Sequence, residues 1–395
     1  MIWPPLSTNA DIRHGRRISC WLRPLQTSNR YNYITATRGR VGFSIVGKNE
    51  RDELVARAEQ VLGHESLGWK ASIDGFCMQL FTNSNHLDEF WRENWFSMPR
   101  EVKSHGRLYA VLDPAFREGK PHAFYNPDTK TAVIFNTEYY GQVKSWALGI
   151  ACDIAEDQHD IHSIHGSCVE VNGKGIVLIA PTGTGKSTHS YALLNVEGAR
   201  LHSDDWVYVR FIGGEKGRAS ADISERKFYI RTNIARVFPE IRSLLDRCKQ
   251  ENVEPLSQDE AKKMRAQGMS DDEIRMLSAD PYIAHEYSRA MLDPLWISGP
   301  EKFVDTTRAM KVILLKRDKN DHQMSRRLDI EGAVQYLVVQ PEQFLNPYLI
   351  VKTEEKVEGR KRFFRRLFKL APCYLVNTTF DVMAVQQRIR EIVNE

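Results

Sequence analysis

Between Tyr31 and Tyr140 the apolar positions fall into short alternating runs separated by polar turns. Val41-Gly42-Phe43-Ser44-Ile45-Val46 and Thr131-Ala132-Val133-Ile134-Phe135 read as strands, and Asn126-Pro127-Asp128 marks a turn. Leu54, Val55, Ala58 and Val61 recur at helical spacing within Glu50 to Leu62, and a second helix surrounds His86 to Trp95. Residues 31–140 are therefore expected to form a smaller α+β domain. A helix from Gln142 to Ile154 opens the second part, 141–395. There Ser163 to Val171 alternates as a strand, Asn172-Gly173 is a hairpin signal, and Gly175-Ile176-Val177-Leu178-Ile179 returns as an apolar strand. The loop Ala180 to Thr188 follows, then a helix running through Leu194 that Gly198 stops. Strand, glycine loop and helix succeed one another, so the fold class is α/β, with a mixed β-sheet and helices.

Further on, Ala199 to Arg210 reads as a strand interrupted by two acids, and Phe228-Tyr229-Ile230-Arg231-Thr232 as another strand. Glu240 to Ser278 is charged and helical by pattern, with a capping box at Ser270-Asp271-Asp272-Glu273. It opens a helical insertion over about 240–300, read as a solvated excursion that alternatively covers a site or meets an acceptor. Lys311 to Lys316 and Cys373 to Val376 are apolar strands. Arg360 to Lys369 combines cations with the stripe Phe363, Phe364, Leu367 and Phe368, which reads as a docked helix rather than a membrane-surface one.

Composition narrows the class without naming a partner. The 395 residues are 42% apolar and 27% charged with a net charge of +4, which excludes disordered and fibrous chains and gives no case for nucleic acid or a membrane surface. No apolar run reaches the roughly 20 residues of a membrane span. Six cysteines lie far apart, without a C-x-x-C pair, and point to a reducing cytoplasm. Residues 1–30 are read as a disordered leader or an upstream start, with a transit peptide the lesser alternative, because arginines there face a single acid, Asp11.

The loop carries the chemistry. In G-x-x-x-x-G-K-[ST], glycines turn backbone N–H groups inward around phosphate oxygens, and the next helix offers its positive end to the same anion. Here Thr182, Gly183, Thr184, Gly185, Lys186, Ser187 and Thr188 form that cradle, with Ala180 in place of the first glycine. Lys186 is expected to reach the β and γ phosphates of ATP and Ser187 to ligate Mg²⁺. His189, one residue on, is read as a helix-surface residue. Consecutive aspartates are costly in an apolar strand unless a metal and a transferable proton use them. One of Asp204 and Asp205 is expected to hold Mg²⁺ with Ser187 and the other to take the proton of an attacking hydroxyl.

His165-Gly166 before the hairpin, the Gly-Lys-Ser loop and Asp204-Asp205 at this spacing resemble the C-terminal catalytic domain of HPr kinase/phosphorylase, itself similar to phosphoenolpyruvate carboxykinase. The resemblance covers roughly His165 to Arg210. It implies a P-loop core of that type, Asp204 as general base, Asp205 as Mg²⁺ ligand with Ser187, and His165 beside the transferred phosphate. His159, His162 and His165 also form an H-x-x-H-x-x-H run, but they enter a strand without cysteines, which argues against zinc. Downstream, that family has a Glu-Ile-Arg-Gly strand; Arg231 matches its arginine, Tyr229 stands at its glutamate, and Glu225 is a possible substitute. Arg231 is expected to stabilise charge on the phosphoryl group, with Arg289 a second candidate for phosphate or acceptor binding. The N-terminal region does not resemble that family's, so HPr is not the expected acceptor.

The expected function is transfer of the ATP γ-phosphoryl to a hydroxyl, serine above all, of a protein, peptide or small molecule. The rivals are a non-catalytic nucleotide-binding regulator and a carboxykinase-like lyase. A homo-oligomer is left open.

Overall fold

The computed structural model describes residues 31–63, 67–181, 183–214, 217–345 and 353–395, so the leader expected over 1–30 lies outside the described residues. Its architecture is mixed α/β, with helices packed on three sheets.

The first sheet has seven strands in the spatial order Gly42–Ile45, His122–Asn126, Thr131–Phe135, Gly106–Val111, Phe76–Thr82, Leu67–Ile73 and Phe96–Ser97. Its side chains alternate between two cores, as the period of two requires. Tyr109, Val111, Val133 and Phe135 meet the helix Lys48–Leu62 through Leu54, Ala58 and Leu62. Leu108, Ala110, Ala132 and Ile134 face the helices Asn85–Asn94 and Tyr140–His159. The second of these helices is longer than its sequence pattern suggests and has no solvent face over most of its length, with fourteen residues buried. A helix apolar on every side belongs between layers: its far side packs on Trp206 and Tyr208 of the second sheet, and the Tyr208 hydroxyl donates to the Leu148 carbonyl at 2.9 Å.

The second sheet has eight strands. Lys174–Ile179, His162–Val171, Trp206–Ile212, Arg218–Asp222 and Thr306–Lys316 lie side by side, and Lys174–Ile179 also pairs in parallel with Thr306–Lys316, so these five close into a ring. Cys373–Asn377 and Ser325–Leu328 extend it. The helix Glu354–Leu370 docks on it by Phe363, Phe364, Leu367 and Phe368, with the Arg360 guanidinium buried against Glu156 at 3.1 Å. Among the described residues no helix is long and apolar enough to cross a membrane.

The third sheet has four strands in the order Asn32–Tyr33, Lys249–Glu251, Arg289–Leu292 and Phe228–Arg231. Its second strand corrects the reading of Glu240 to Ser278 as helical throughout. Lys249-Gln250-Glu251 has no apolar residue, yet Glu251 is fully buried because it accepts from the Tyr140 N–H at 2.8 Å, pairs with His86 at 2.6 Å and meets the Tyr229 hydroxyl. The helices Gln258–Ala266 and Asp271–Ala279 follow, each opened by a serine capping box and mostly exposed.

Candidate phosphate-binding site

Three neighbouring strands reach the same level of the second sheet, and the site forms there. Ile179, the last residue of its strand, pairs with Gly166. On the other edge of His162–Val171, Ala199–Ser203 and Trp206–Ile212 pair in succession with the same long strand, so Asp204 and Asp205 occupy the break between them. The glycine loop, His165 and the acid pair thus become neighbours through pairing alone. Gly166 makes the approach possible: a Cβ there would lie 2.6 Å from the Leu178 carbonyl oxygen, and its N–H donates to the Asp205 carbonyl at 2.9 Å.

The loop turns on Gly183 and Gly185, with φ of 83° and 93°, values side chains disfavour. The Thr184 hydroxyl and N–H both donate to the Pro181 carbonyl, at 2.7 and 3.2 Å, which fixes the turn. Thr182 lies outside the described residues. Ala180, in place of the first consensus glycine, is buried without strain at the strand end. The helix Lys186–Leu193 begins at the loop and ends earlier than expected, and Gly198 serves the next turn rather than the helix, with φ 72°. His189 is not on the helix surface. It is 4% exposed, its ring lies against Gly185, and burial depresses its pKa to about 4. The polar run around it suggests a wet face, but the ring folds back against the loop turn at Gly185.

Lys186 leans across the loop, its ammonium 2.7 Å from the Asp204 carbonyl and 2.9 Å from Asp205 Oδ1. His165 Nε2 stands 3.2 Å from the same Asp205 oxygen. Lys144, from the buried helix, lies 3.4 Å from Asp205 Oδ2 and 3.0 Å from Glu225 Oε1. The two aspartates are driven apart electrostatically. Burial raises the Asp204 carboxyl, only partly offset by Lys186, Lys144 and the Ser187 hydroxyl. Burial alone would raise Asp205 too, but Lys186, Lys144 and His165 outweigh it and hold that group well below the ordinary carboxylate range. Two carboxylates, one firmly ionised and one more basic, are what acid–base division of labour needs.

Lys186, Ser187, Thr188, His165, Asp204, Asp205 and Lys144 open on one cavity of ≈ 560 Å³, which Arg231 and Arg289 also line. The structure therefore brings together the described residues that the sequence singled out for the site, except Thr184, whose hydroxyl turns away to the Pro181 carbonyl. It adds Lys144, Arg40 and Tyr139, which come from outside the motif region. Glu225 is buried behind the cavity, bound by Lys144 and by the Asn94 amide at 3.1 Å. Lys144 carried no sequence signal beyond being a cation within an apolar helix.

Comparisons with known proteins are narrow. No protein-family model matches the chain. A stretch of 66 residues is 41% identical to HPr kinase/phosphorylase from Caldanaerobacter subterraneus subsp. tengcongensis, covering 17% of this chain. The match spans 21% of that protein's length. The HPr(Ser) kinase/phosphatase from Coxiella burnetii aligns over 59% of this chain and 94% of its own, at 11% identity and a TM-score of 0.28, too slight a likeness to support an argument.

The residues themselves suit a hard divalent cation beside phosphate. The Ser187 hydroxyl and the Asp205 carboxylate line the cavity together, oxygen donors of the kind Mg²⁺ takes, and beside them Asp204 Oδ1 is buried with no hydrogen-bond partner, which leaves it available to a proton. The three histidines go separate ways: His159 packs on Phe76, His162 stacks on Phe363, and only His165 reaches the acid pair.

Proposed function

We propose that this chain is an ATP-dependent kinase that transfers the γ-phosphoryl to a hydroxyl of a protein, peptide or small molecule. The observation that carries the reading is the reach of Lys186: one ammonium at the head of the loop helix contacts both members of an acid pair eighteen and nineteen residues away in sequence, inside one cavity. Loop amides and Lys186 bind the donor phosphates. Ser187 and Asp205 would hold Mg²⁺, which when bound neutralises charge on the β and γ oxygens. Asp204 accepts the proton of the acceptor hydroxyl as its oxygen attacks phosphorus, while ADP leaves with the electrons of the broken bond. The raised basicity of Asp204 suits that step, since a base works best with a pKa near the working pH. His165 and Arg231 steady the transferring group.

Tyr139 and Arg40 give the N-terminal part a share of the cavity wall, which supports a role for it in choosing the acceptor. The five described cysteines are buried and form no disulfide, in keeping with a reducing cytoplasm.

Asp204→Asn tests the base. Purified protein, labelled ATP, Mg²⁺ and a cell extract should show the wild type labelling an acceptor. The variant should bind ATP within about twofold and transfer at least about 100-fold more slowly, the low end of what a positioned base contributes. Transfer at the wild-type rate with normal ATP binding removes Asp204 from the role.

A further inference from the structure

Arg231 and Arg289 are paired in a way that stability alone disfavours. They face one another across the antiparallel strands Phe228–Arg231 and Arg289–Leu292, and both line the cavity. Side chains directly opposite share one face of a sheet, and like charges there repel. Burial and Arg289 together depress the Arg231 guanidinium pKa. Among the described residues the Arg231 guanidinium makes no hydrogen bond or ion pair, and Glu286 and Asp205 attract it only from farther off. Arg289 donates from Nη1 to the Glu286 and Ser288 carbonyls at 2.6 and 3.0 Å and lies over the Tyr229 ring; the acid opposite it on its other side, Glu251, is already taken up by His86, Tyr229 and the Tyr140 N–H. One turn further on, Asn233 and Arg236 line the same wall. The contrast with the other cations of the cavity is sharp: Lys144 has Glu225 and Asp205, and Lys186 has Asp205.

The two walls also belong to different parts of the fold. Lys186 and the loop stand on the ring-closed sheet, whereas the arginines stand on the four-stranded sheet. The acids border the cavity together with both. Donor phosphates held by the loop are matched by Lys186 and the helix end, which leaves the arginine wall for the other reactant. Guanidinium forks bind carboxylate and phosphate oxygens bidentately, and two of them converging on one oxyanion relieve their mutual repulsion.

We propose that Arg231 and Arg289 bind an oxyanion carried by the acceptor, so that the substrate class is a hydroxyl compound with a carboxylate or phosphate close to the hydroxyl that is phosphorylated. This rests on the kinase reading above and specifies its acceptor. Arg289 is the specificity residue; Arg231 contacts both the acceptor's acid and the transferring group.

The test compares three matched probes, D-glycerate, glycerol 3-phosphate and glycerol, titrated calorimetrically at fixed ionic strength into protein saturated with Mg²⁺ and a non-hydrolysable ATP analogue. At least one acidic probe should bind saturably and at least tenfold more tightly than glycerol, and the better of the two identifies the acid. Arg289→Gln should lose at least tenfold in that affinity while binding the nucleotide analogue within twofold of wild type. Arg289→Lys, which keeps the charge but not the fork, should lose at least threefold and serves if the glutamine variant fails to fold. Arg231→Gln should melt no lower than wild type, since it removes a repulsion. Acidic probes binding no better than glycerol would overturn the proposal, as would an Arg289 variant that weakens nucleotide as much as probe. These readouts need no turnover. Normal transfer by Asp204→Asn with intact probe binding would remove the base alone, and the reverse result would remove the acceptor site alone.

Discussion

Replacing Lys144 by methionine, which keeps the length of the side chain and removes its charge, isolates the contribution of a buried ion pair at this site. Lys144 is 3% exposed and Glu225 4%, with 3.0 Å between their charged atoms. Without the lysine, Glu225 would be a charge in the interior with only the Asn94 amide beside it, and it would take up a proton instead. From the ordinary glutamate value of 4.5, protonation at pH 7 spans about 2.5 pH units, or at most about 3.4 kcal/mol at 1.36 kcal/mol per unit, less what burial already costs the wild-type carboxyl, whose pKa it raises. Breaking a buried pair by removing one partner costs about 3–5 kcal/mol in general, which agrees. At pH 5 the same proton costs only about 0.7 kcal/mol. Lys144→Met should therefore lose about 3 kcal/mol at pH 7 and about 1 kcal/mol at pH 5. Lys144→Met with Glu225→Gln should regain most of the loss at pH 7, because an amide needs no counter-charge. Asp205 is affected less, since Lys186 and His165 remain on it. Urea unfolding at both pH values, followed by circular dichroism and tryptophan fluorescence so that a single transition is verified, reads the differences. A penalty equal at the two pH values, or a double variant no more stable than the single one, would refute this account.

Two other outcomes follow from the same site. His189 keeps a pKa of about 4 in the folded chain against 6.5 unfolded, so only the unfolded state binds its proton between those values. Stability should fall by roughly 3 kcal/mol as pH drops from 6.5 towards 4, and His189→Gln should flatten that part of a pH–melting curve; an unchanged slope would show that other groups carry it. Gly166→Ala should cost about 1–3 kcal/mol or more, because the new methyl would sit 2.6 Å from a backbone oxygen that cannot swing away. Thermal melting measures the cost, and a variant as stable as wild type would show that the two strands have room to separate.

What the sequence revealed about this site follows the range of the interactions involved. The loop is local: an apolar strand, two glycines and a helix start fix its shape within a dozen residues, and the acid pair is conspicuous because two aspartates break an apolar strand. Lys144 was hidden for the opposite reason. It sits in a helix apolar on every side, where periodicity carries no direction, and only packing between two sheets aims it at Asp205. Arg40 and Tyr139 reach the cavity through equally distant contacts. The strand Lys249–Glu251 looked like part of a charged helix because its core residue is a glutamate, and what allows burial there is a histidine, a tyrosine and an amide from three other segments. His189 reads as exposed from its polar neighbours, whereas its ring packs back on Gly185, a contact that the turn of the loop decides.

The helix Tyr140–His159 has a consequence for dividing this protein. It lies where sequence reading sets the boundary between two parts, yet it is the inner layer of both. Cutting before it would strip the first sheet of its main cover, and cutting after it would remove Lys144 from the acid pair. Neither half can be moved onto another scaffold without a copy of this one element. Exchanging the N-terminal part would therefore disturb the electrostatics of the acid pair at the same time, and the cavity is better altered by single substitutions on the arginine wall than by grafting.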